Sequence, residues 1–429
     1  MNRRTELYLK IIRLLSVIVL AIPFISVSAQ SGRKIQEPQP TQTPRIEVTK
    51  QSDTITEFIV DPNADEYKLI FPTSYEGTLP LKFRDIDRAI YSRRNSFVEQ
   101  LNNAGLQGYK FISAVKGDWT AFVKLDEAQY EYTWFETTSS FFFSKDGFEK
   151  KYEELSKQGY RLVEHFFIYG NCEPVDNDPT PPVLETCEYR DLFLLERKKG
   201  VEQPVQYNIT FSGPGWKAKM GEVLTPQINE GIAKGLYPTH AFSKFEILLQ
   251  QPTDKDEPSI DKPDVRIVTS KNFNWGRNDL ENKVNELGKQ SYRLALIGYE
   301  IAVMYRRDDV TTPISYIWLD AKKKDFEKQL KKLQEQGVVY QMTYPDKRGI
   351  ENKLVFEQRL VDDGKRREYK ALKFDFQDTE NIAEKKVYID LMPSSKETLN
   401  LMNKLVKEGF TVRDLFVSKS VCVLLERLR

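Results

Sequence analysis

Apolar residues recur along the chain at a spacing that predicts short amphipathic helices. In the recurring pattern, an apolar residue is followed by others four and seven positions later, and by glycine eleven positions later. The first three positions share one helix face, and a glycine can adopt the left-handed conformation that ends a helix. The clearest instance consists of Phe148, Tyr152, Leu155 and Gly159, and the aromatic residue Tyr160 follows it.

Six stretches of the chain carry this pattern. Their final positions are Gly108, Gly159, Gly235, Ser291, Gly337 and Gly409. The third stretch is the weakest, because Gly231 stands where an apolar residue is expected. One strand-like run precedes each predicted helix and two follow it, so the predicted unit is strand, helix, strand, strand. Helix and sheet each have one apolar face, which predicts that they pack as two layers.

The units match one another in spacing and in residue identity. The short-then-long spacing of the first three units recurs in the last three. Leu194–Arg197 and Leu424–Arg427 both read LLER, and Tyr160–Leu162 and Tyr292–Leu294 both read YRL. We therefore expect an α+β fold of six tandem βαββ units in two homologous three-unit halves, with the helices packed on mostly antiparallel sheets.

Proline-rich segments mark the expected domain boundaries. Residues 251–264 are rich in proline and charge, which predicts a linker between a first half at 46–250 and a second half at 265–429. Residues 30–45 contain proline and glutamine and almost no apolar residues, which predicts a flexible linker.

The second unit resembles a family of short, uncharacterised bacterial βαββ domains. The segments that carry the resemblance are Tyr130–Tyr132, Leu155–Gly159, Gly159–Leu162 and Leu194–Arg197. The family typically has tryptophan after the glycine, where this chain has tyrosine or phenylalanine. The other units match the family less closely. Because the shared residues are structural, the resemblance implies a fold and no activity.

Residues 1–29 have the composition of a secretory signal peptide. A basic start is followed by the apolar run Leu14–Val27, and Val27 and Ala29 suit cleavage before Gln30. The alternative is an uncleaved membrane anchor, but the run is shorter than the roughly 18–20 residues that a spanning helix needs. We expect an exported chain, in the bacterial periplasm or outside the cell, with no membrane span after cleavage.

Two cysteines lie where a covalent bond would restrain a loop. Cys172 and Cys187 end two predicted antiparallel strands on either side of a proline-rich segment. In an oxidising compartment this arrangement favours a disulfide bond, with two free thiols or half of a metal site as the alternatives. A zinc site would need two further ligands at suitable spacing. The third cysteine, Cys422, is expected to be a buried thiol.

The charge balance and the absence of catalytic motifs in the sequence argue against two classes of function, nucleic-acid binding and catalysis. The chain has 64 Lys+Arg against 63 Asp+Glu, a formal net charge of +1. This argues against nucleic-acid binding, which needs a concentrated basic surface. No metalloprotease, nucleophile-elbow, P-loop or dinucleotide motif occurs, and the two histidines, His165 and His240, lie in no recognisable triad setting. We expect no catalytic residue, cofactor or metal.

Three features are candidate binding surfaces. The consecutive side chains of Phe141, Phe142 and Phe143 cannot all face one core and could contact a partner, although core packing of two of them is favoured. The aromatic face of the strand Tyr130–Phe135 could bind a ligand, but a sheet face beneath a helix is favoured. The lysine-rich stretch 322–332 could attract an anionic membrane or nucleic acid, but its interleaved acids favour a solvated helix face.

The sequence therefore predicts an exported, non-catalytic binding or scaffold protein. Its partner is expected to be a protein or a cell-envelope component. The alternatives are a hydrolase-type enzyme with a site between the two halves, and a small-molecule sensor with a pocket between helix and sheet. The enzyme would require a cleft that holds a perturbed histidine, a cysteine or paired carboxylates.

Overall fold

The computed structural model describes most of the chain after residue 65. The described residues are 66–76, 86–115, 119–139, 145–173, 186–211, 220–242, 246–252, 264–269, 277–298, 301–306, 312–345, 351–359 and 366–429. They all belong to one compact unit, Phe58–Arg429. The predicted signal peptide and N-terminal linker, most of the predicted linker at 251–264, and the aromatic run Phe141–Phe143 lie outside the described residues.

The described residues contain helices and strands in a regular order. The helices are α1 Ile86–Leu106, α2 Lys145–Lys157, α3 Met220–Ala233, α4 Arg277–Gly288, α5 Phe326–Glu335 and α6 Pro393–Lys407. The first strands are β1 Tyr67–Ile70, β2 Ser74–Glu76, β3 Tyr109–Val115, β4 Thr120–Leu125, β5 Tyr130–Ser139, β6 Arg161–Glu173, β7 Thr186–Lys198, β8 Tyr207–Phe211, β9 Tyr237–Ala241 and β10 Glu246–Gln250. The remaining strands are β11 Asp264–Thr269, β12 Arg293–Ile297, β13 Ile301–Arg306, β14 Ile314–Asp320, β15 Val339–Pro345, β16 Glu351–Arg359, β17 Arg367–Phe374, β18 Phe376–Asn381, β19 Lys386–Leu391, β20 Thr411–Val417 and β21 Val421–Leu428.

The strands form small antiparallel sheets, so the α+β class is confirmed. Six three-stranded sheets, numbered here in chain order, have the strand orders β1-β4-β3, β5-β7-β6, β8-β10-β9, β11-β13-β12, β14-β16-β15 and β17-β21-β20. Each takes one strand from before a helix and a hairpin from after it, and the last strand of the hairpin is central. A further sheet, the clasp sheet, has the order β18-β19-β2 and joins the first described segment to a hairpin near the C-terminus.

The helices end at the predicted positions. Gly159 has a φ of 86°, its N–H donates to Ser156 O, and the following Tyr160 N–H donates to Leu155 O. These two bonds are those of a Schellman motif, which requires a left-handed residue. The other residues at the same position also have positive φ: Gly108, Gly235, Ser291, Gly337 and Gly409. The prediction that this position ends each helix is confirmed.

Each helix shares a core with its own sheet and with the next sheet along the chain. Phe97 and Leu101 of α1 lie in one buried cluster with Val123 of sheet 1 and with Tyr132 and Leu194 of sheet 2. The same arrangement recurs for the helices that follow.

The cycle closes between the sixth sheet and the first. Met402 and Leu405 of α6 share a cluster with Val423 of sheet 6 and with Tyr67 and Phe122 of sheet 1. The clasp sheet lies at the same junction, where β2 pairs with β19 in the register Tyr75 to Val387. The two ends of the described chain are thereby held together.

The central strands are buried on both faces because of this packing. Leu192–Leu195 of β7 and Val421–Leu425 of β21 are almost completely buried. A strand covered on both faces has a continuous apolar run in place of an alternating one. None of the helices within the described residues is long and apolar enough to cross a membrane.

Candidate functional site

A β-bulge interrupts the strand that follows each of the six helices. The extra residue comes four positions after the helix-ending residue, and the six residues are Ile112, Val163, Thr239, Ala295, Gln341 and Arg413. A bulge disrupts the ladder and leaves backbone groups that need another partner.

A tyrosine from the next sheet supplies that partner at three junctions. Phe111 N donates to the Tyr132 hydroxyl at 2.8 Å, and that hydroxyl lies 3.1 Å from Tyr109 O. Tyr316 makes the corresponding contacts with Leu294 N at 2.7 Å and with Tyr292 O at 3.3 Å. In each case the hydroxyl of a tyrosine bonds backbone N–H and C=O groups of the bulged strand in the preceding sheet. We call this contact a tyrosine interlock.

Tyr369 forms the interlock between sheets 5 and 6. Its hydroxyl accepts from Tyr340 N at 2.9 Å and donates to Val338 O at 3.0 Å. At the junction of sheets 6 and 1, the Val412 N–H bonds the Tyr67 hydroxyl and lowers its pKa, although burial has the larger effect and raises the pKa. Burial likewise raises the pKa of Tyr132, Tyr316 and Tyr369 above that of free tyrosine.

The two remaining junctions do not use the hydroxyl of a tyrosine from the next sheet. Between sheets 2 and 3, Gln250 takes over, since its Oε1 accepts from Leu162 N at 2.9 Å and its Nε2 donates to Leu162 O at 3.1 Å. Between sheets 3 and 4, the residue beside the bulge is Pro238, which has no N–H to satisfy. The residue at the tyrosine position is Val265, which is buried and offers no hydroxyl.

The repeated LLER motif is explained by these junctions. Glu196 lies opposite Tyr132 in the sheet register, and its Oε2 is 2.9 Å from the hydroxyl. Burial raises the pKa of Glu196. The adjacent Arg197 pairs with Glu131 at 2.6 Å and lies over the ring of Tyr160, 4.5 Å from its centroid. The motif therefore combines two buried leucines, a glutamate that bonds the interlock tyrosine, and an arginine that stacks on the aromatic residue following the helix.

The arginine of the second LLER has the same surroundings as Arg197. Arg427 pairs with Glu368 at 2.6 Å and lies 4.5 Å from the ring centroid of Phe410. The glutamate of this motif, Glu426, lies opposite Tyr369 and is 2% exposed, but its carboxylate pairs with Arg367 and Arg413. The aromatic first-strand residues are thus core and interlock residues that lie beneath a helix, as the sequence favoured, but the helix is that of the preceding unit.

A histidine and an aspartate are paired by a buried hydrogen bond at the junction of sheets 2 and 3. His165 Nε2 lies 2.7 Å from Asp191 Oδ1, and both side chains are buried. The imidazole stacks on Phe193 with ring centroids 5.0 Å apart. The ring of Phe242 makes a T-shaped contact with the imidazole, with a centroid separation of 5.2 Å. The sequence indicated His165 as a strand residue but missed Asp191, because the pairing depends on the register between β6 and β7.

The second histidine lies near the first. His240 is stacked with Phe242 at a centroid separation of 6.4 Å, and its Nδ1 is 3.1 Å from Thr239 Oγ1. Phe242 therefore contacts the rings of both histidines of the chain. Burial of polar side chains is costly unless they are hydrogen-bonded, so the occurrence of the His165–Asp191 pair among aromatic rings marks this junction as the candidate site.

A carboxylate also joins three separate sheets. Asp414 of β20 accepts from the Ser113 hydroxyl of β3 at 2.5 Å and from the Tyr340 hydroxyl of β15 at 2.5 Å. Leu415 N donates to the same carboxylate at 2.8 Å. Because hydroxyl and amide donors already surround its carboxylate, we interpret Asp414 as a structural link between sheets 1, 5 and 6. Nothing in the local sequence indicated this convergence.

Two of the three cysteines oppose each other across a strand pair, and the third is buried. Cys172 and Cys187 are register partners across β6 and β7, the longest of the described strands. Cys422 is a buried free thiol, and burial raises its pKa to about 11. A thiol with a raised pKa is a weak nucleophile at neutral pH, which agrees with the expectation of a structural residue.

Neither a metal centre nor a relative assigns an activity to these residues. In the part of the chain that the structure describes, no group of three or more His, Cys, Asp or Glu side chains could hold a metal ion. Comparison with protein-family models, with curated proteins and with solved structures found no match. The geometry of the site is therefore the basis for any functional proposal.

Proposed function

We propose that the protein is an exported, non-catalytic binding scaffold built from six tandem βαββ units in two three-unit halves. The observation that carries the proposal is the recurrence of the interlock at consecutive sheet junctions. Buried hydroxyl, carboxylate and amide groups are bonded to backbone groups of the neighbouring sheet, where they hold the sheets in register. Such an arrangement favours a rigid body that presents loops to a partner.

Details shared by α1 and α4 support the two halves. A Cβ on Gly105 of α1 would lie 2.3 Å from Tyr130 O, and one on Gly288 of α4 would lie 2.7 Å from Ile314 O. One turn earlier, Asn102 and Asn285 accept hydrogen bonds from the first-strand N–H groups of Tyr132 and Tyr316.

The hairpin of β6 and β7 is the proposed partner-binding element. Its strands have 13 residues each, and the cysteine pair is placed near its far end. Directly opposed residues of an antiparallel pair have Cα atoms roughly 4.5–5.5 Å apart, within the range that a disulfide spans. A bond there would fix the hairpin for an envelope protein or another cell-envelope component.

A photo-crosslinking experiment in exporting cells tests this proposal. A photoreactive residue at position 171 should crosslink to a discrete envelope partner, and Cys172→Ser with Cys187→Ser should remove that product. The same residue at Glu286, exposed on α4, serves as the control position. Absence of any product from position 171, or an unchanged product without the cysteines, would contradict the binding role of the hairpin.

One observation favours a hydrolase as the second candidate, although its residues lie within the first half and not between the two halves as the sequence suggested. The places of His165 and Asp191 in sheet 2 correspond to Leu415 and Val421 in sheet 6, which are buried apolar residues. A histidine held by a carboxylate can act as a general base. Turnover of chromogenic esters or phosphate esters that His165→Gln abolishes would establish the hydrolase, and turnover absent from both proteins would support the scaffold.

A further inference from the structure

The outward face of α5 carries a dense group of lysines. Phe326, Leu330 and Leu333 bury the opposite face of the helix. The exposed lysines within and just before the helix are Lys322, Lys323, Lys324, Lys328, Lys331 and Lys332. Residues 322–332 contain only two acids, Asp325 and Glu327, so this short stretch is strongly basic in a chain whose net charge is +1.

The two acids of this stretch make their ion pair and their side-chain hydrogen bond with residues other than these lysines. Glu327 pairs with Lys373 of β17 at 3.6 Å, and Asp325 accepts from the side-chain amide of Gln329 at 2.6 Å. Within the described residues, the ammonium groups of Lys323, Lys324, Lys328, Lys331 and Lys332 have no ion-pair partner. Within the described residues the interleaved acids form no ion pair with these five lysines, and the exposure of the lysines agrees with the solvated helix face that the sequence pattern favoured.

We infer that this lysine face binds a membrane surface carrying anionic phospholipid headgroups. A helix of this length extends about 15 Å, so its lysines can contact several headgroups of a flat surface together. Each lysine near such a surface strengthens binding by about fivefold. The exposed positions between the lysines are polar, so the contact is electrostatic adsorption without insertion, and salt weakens it.

The choice of a membrane over a nucleic acid follows from the chemistry of the face. Single-stranded nucleic acids are held by aromatic stacking as well as by charge, and the exposed positions 322–325, 327, 328, 331 and 332 contain no aromatic residue. The choice also rests on the proposed export, because an exported chain meets the outer face of the cytoplasmic membrane first.

Binding to lipid vesicles tests the inference. The mature chain should sediment at low salt with vesicles that contain an anionic phospholipid, remain in solution with uncharged vesicles, and be released by high salt. Lys328→Gln with Lys331→Gln should weaken binding about 30-fold. Lys404→Gln with Lys407→Gln, at the same spacing on exposed positions of α6, should change it less than twofold.

Three results would overturn the inference. They are no sedimentation with anionic vesicles at low salt, equal weakening by the two double variants, or tighter binding to single-stranded DNA than to the vesicles. The assay uses purified protein, so its failure leaves the proposed export and scaffold role standing. N-terminal sequencing of the exported chain tests the export separately.

Discussion

Removing one buried hydroxyl oxygen tests the interlock most cleanly. Tyr369 is 2% exposed, and its ring lies in the cluster shared by α5 and sheets 5 and 6. Tyr369→Phe keeps the ring and its core contacts, so the perturbation is confined to the hydroxyl. Its loss leaves Tyr340 N and Val338 O without the partner that bonded them at 2.9 and 3.0 Å.

The expected cost follows from those two groups. Each net hydrogen bond contributes about 1 kcal/mol, and a buried group left without a partner costs roughly 1–3 kcal/mol. We therefore expect the free energy of unfolding to fall by about 2–3 kcal/mol. Urea denaturation followed by circular dichroism measures this change, with an m-value equal to that of the wild type.

A surface tyrosine provides the matched control. The Tyr388 hydroxyl bonds the Glu384 carboxylate at an exposed position of the clasp sheet. Tyr388→Phe should change the free energy of unfolding by less than about 0.5 kcal/mol. If Tyr369→Phe were as mild as Tyr388→Phe, the interlock would not be what stabilises the junction.

Three further predictions concern the close helix approach, the buried acid and the cysteines. Gly105→Ala should destabilise the fold by about 1–3 kcal/mol in urea denaturation, because the new Cβ would overlap the next sheet. Gly221→Ala should be neutral or stabilising, because its Cβ would lie 3.4 Å from Ile267 O, which is an ordinary van der Waals distance. Equal changes in the free energy of unfolding for the two substitutions would refute the close approach of α1 to the next sheet. Since burial raises the folded-state pKa of Glu196 above its ordinary value of 4.5, the stability linked to its protonated form is present below that value and declines as pH rises through the raised pKa. Glu196→Gln should therefore gain stability over the wild type in thermal melts at pH 7 and lose that gain near pH 4; a gain that does not change with pH would contradict the burial argument. Non-reducing peptide mapping of exported protein should recover the Cys172 and Cys187 fragments joined, and their separate recovery would exclude the disulfide.

Local pattern was sufficient for the helices of this fold and for the strand order of its repeated units. The apolar spacing and the final glycine located the helix ends, because both depend on residues within a few turns of one another. Recurring motifs such as LLER were also visible, although their meaning was not. The glutamate and arginine of the first LLER have roles only when β7 is paired in register with its neighbours, because their partners Tyr132, Glu131 and Tyr160 lie in or beside those strands.

What the sequence could not indicate depends on pairing between distant segments. The clasp sheet joins Tyr75 to Val387, and no local signal relates those positions. The hairpin of β18 and β19 was missed because it has no counterpart in the other units. The His165–Asp191 pair likewise requires knowledge of the register between two strands, since the residues are diagonal neighbours across it.

The closure of the packing cycle is the central claim, and one engineered crosslink measures it directly. Ser74 of β2 and Tyr388 of β19 are register partners from opposite ends of the described chain. Ser74→Cys with Tyr388→Cys should form an intramolecular disulfide under mild oxidation, detected as a shift on a non-reducing gel, whereas Ser74→Cys with Leu401→Cys should not. Failure of the first pair to crosslink in folded protein would show that the two ends do not meet.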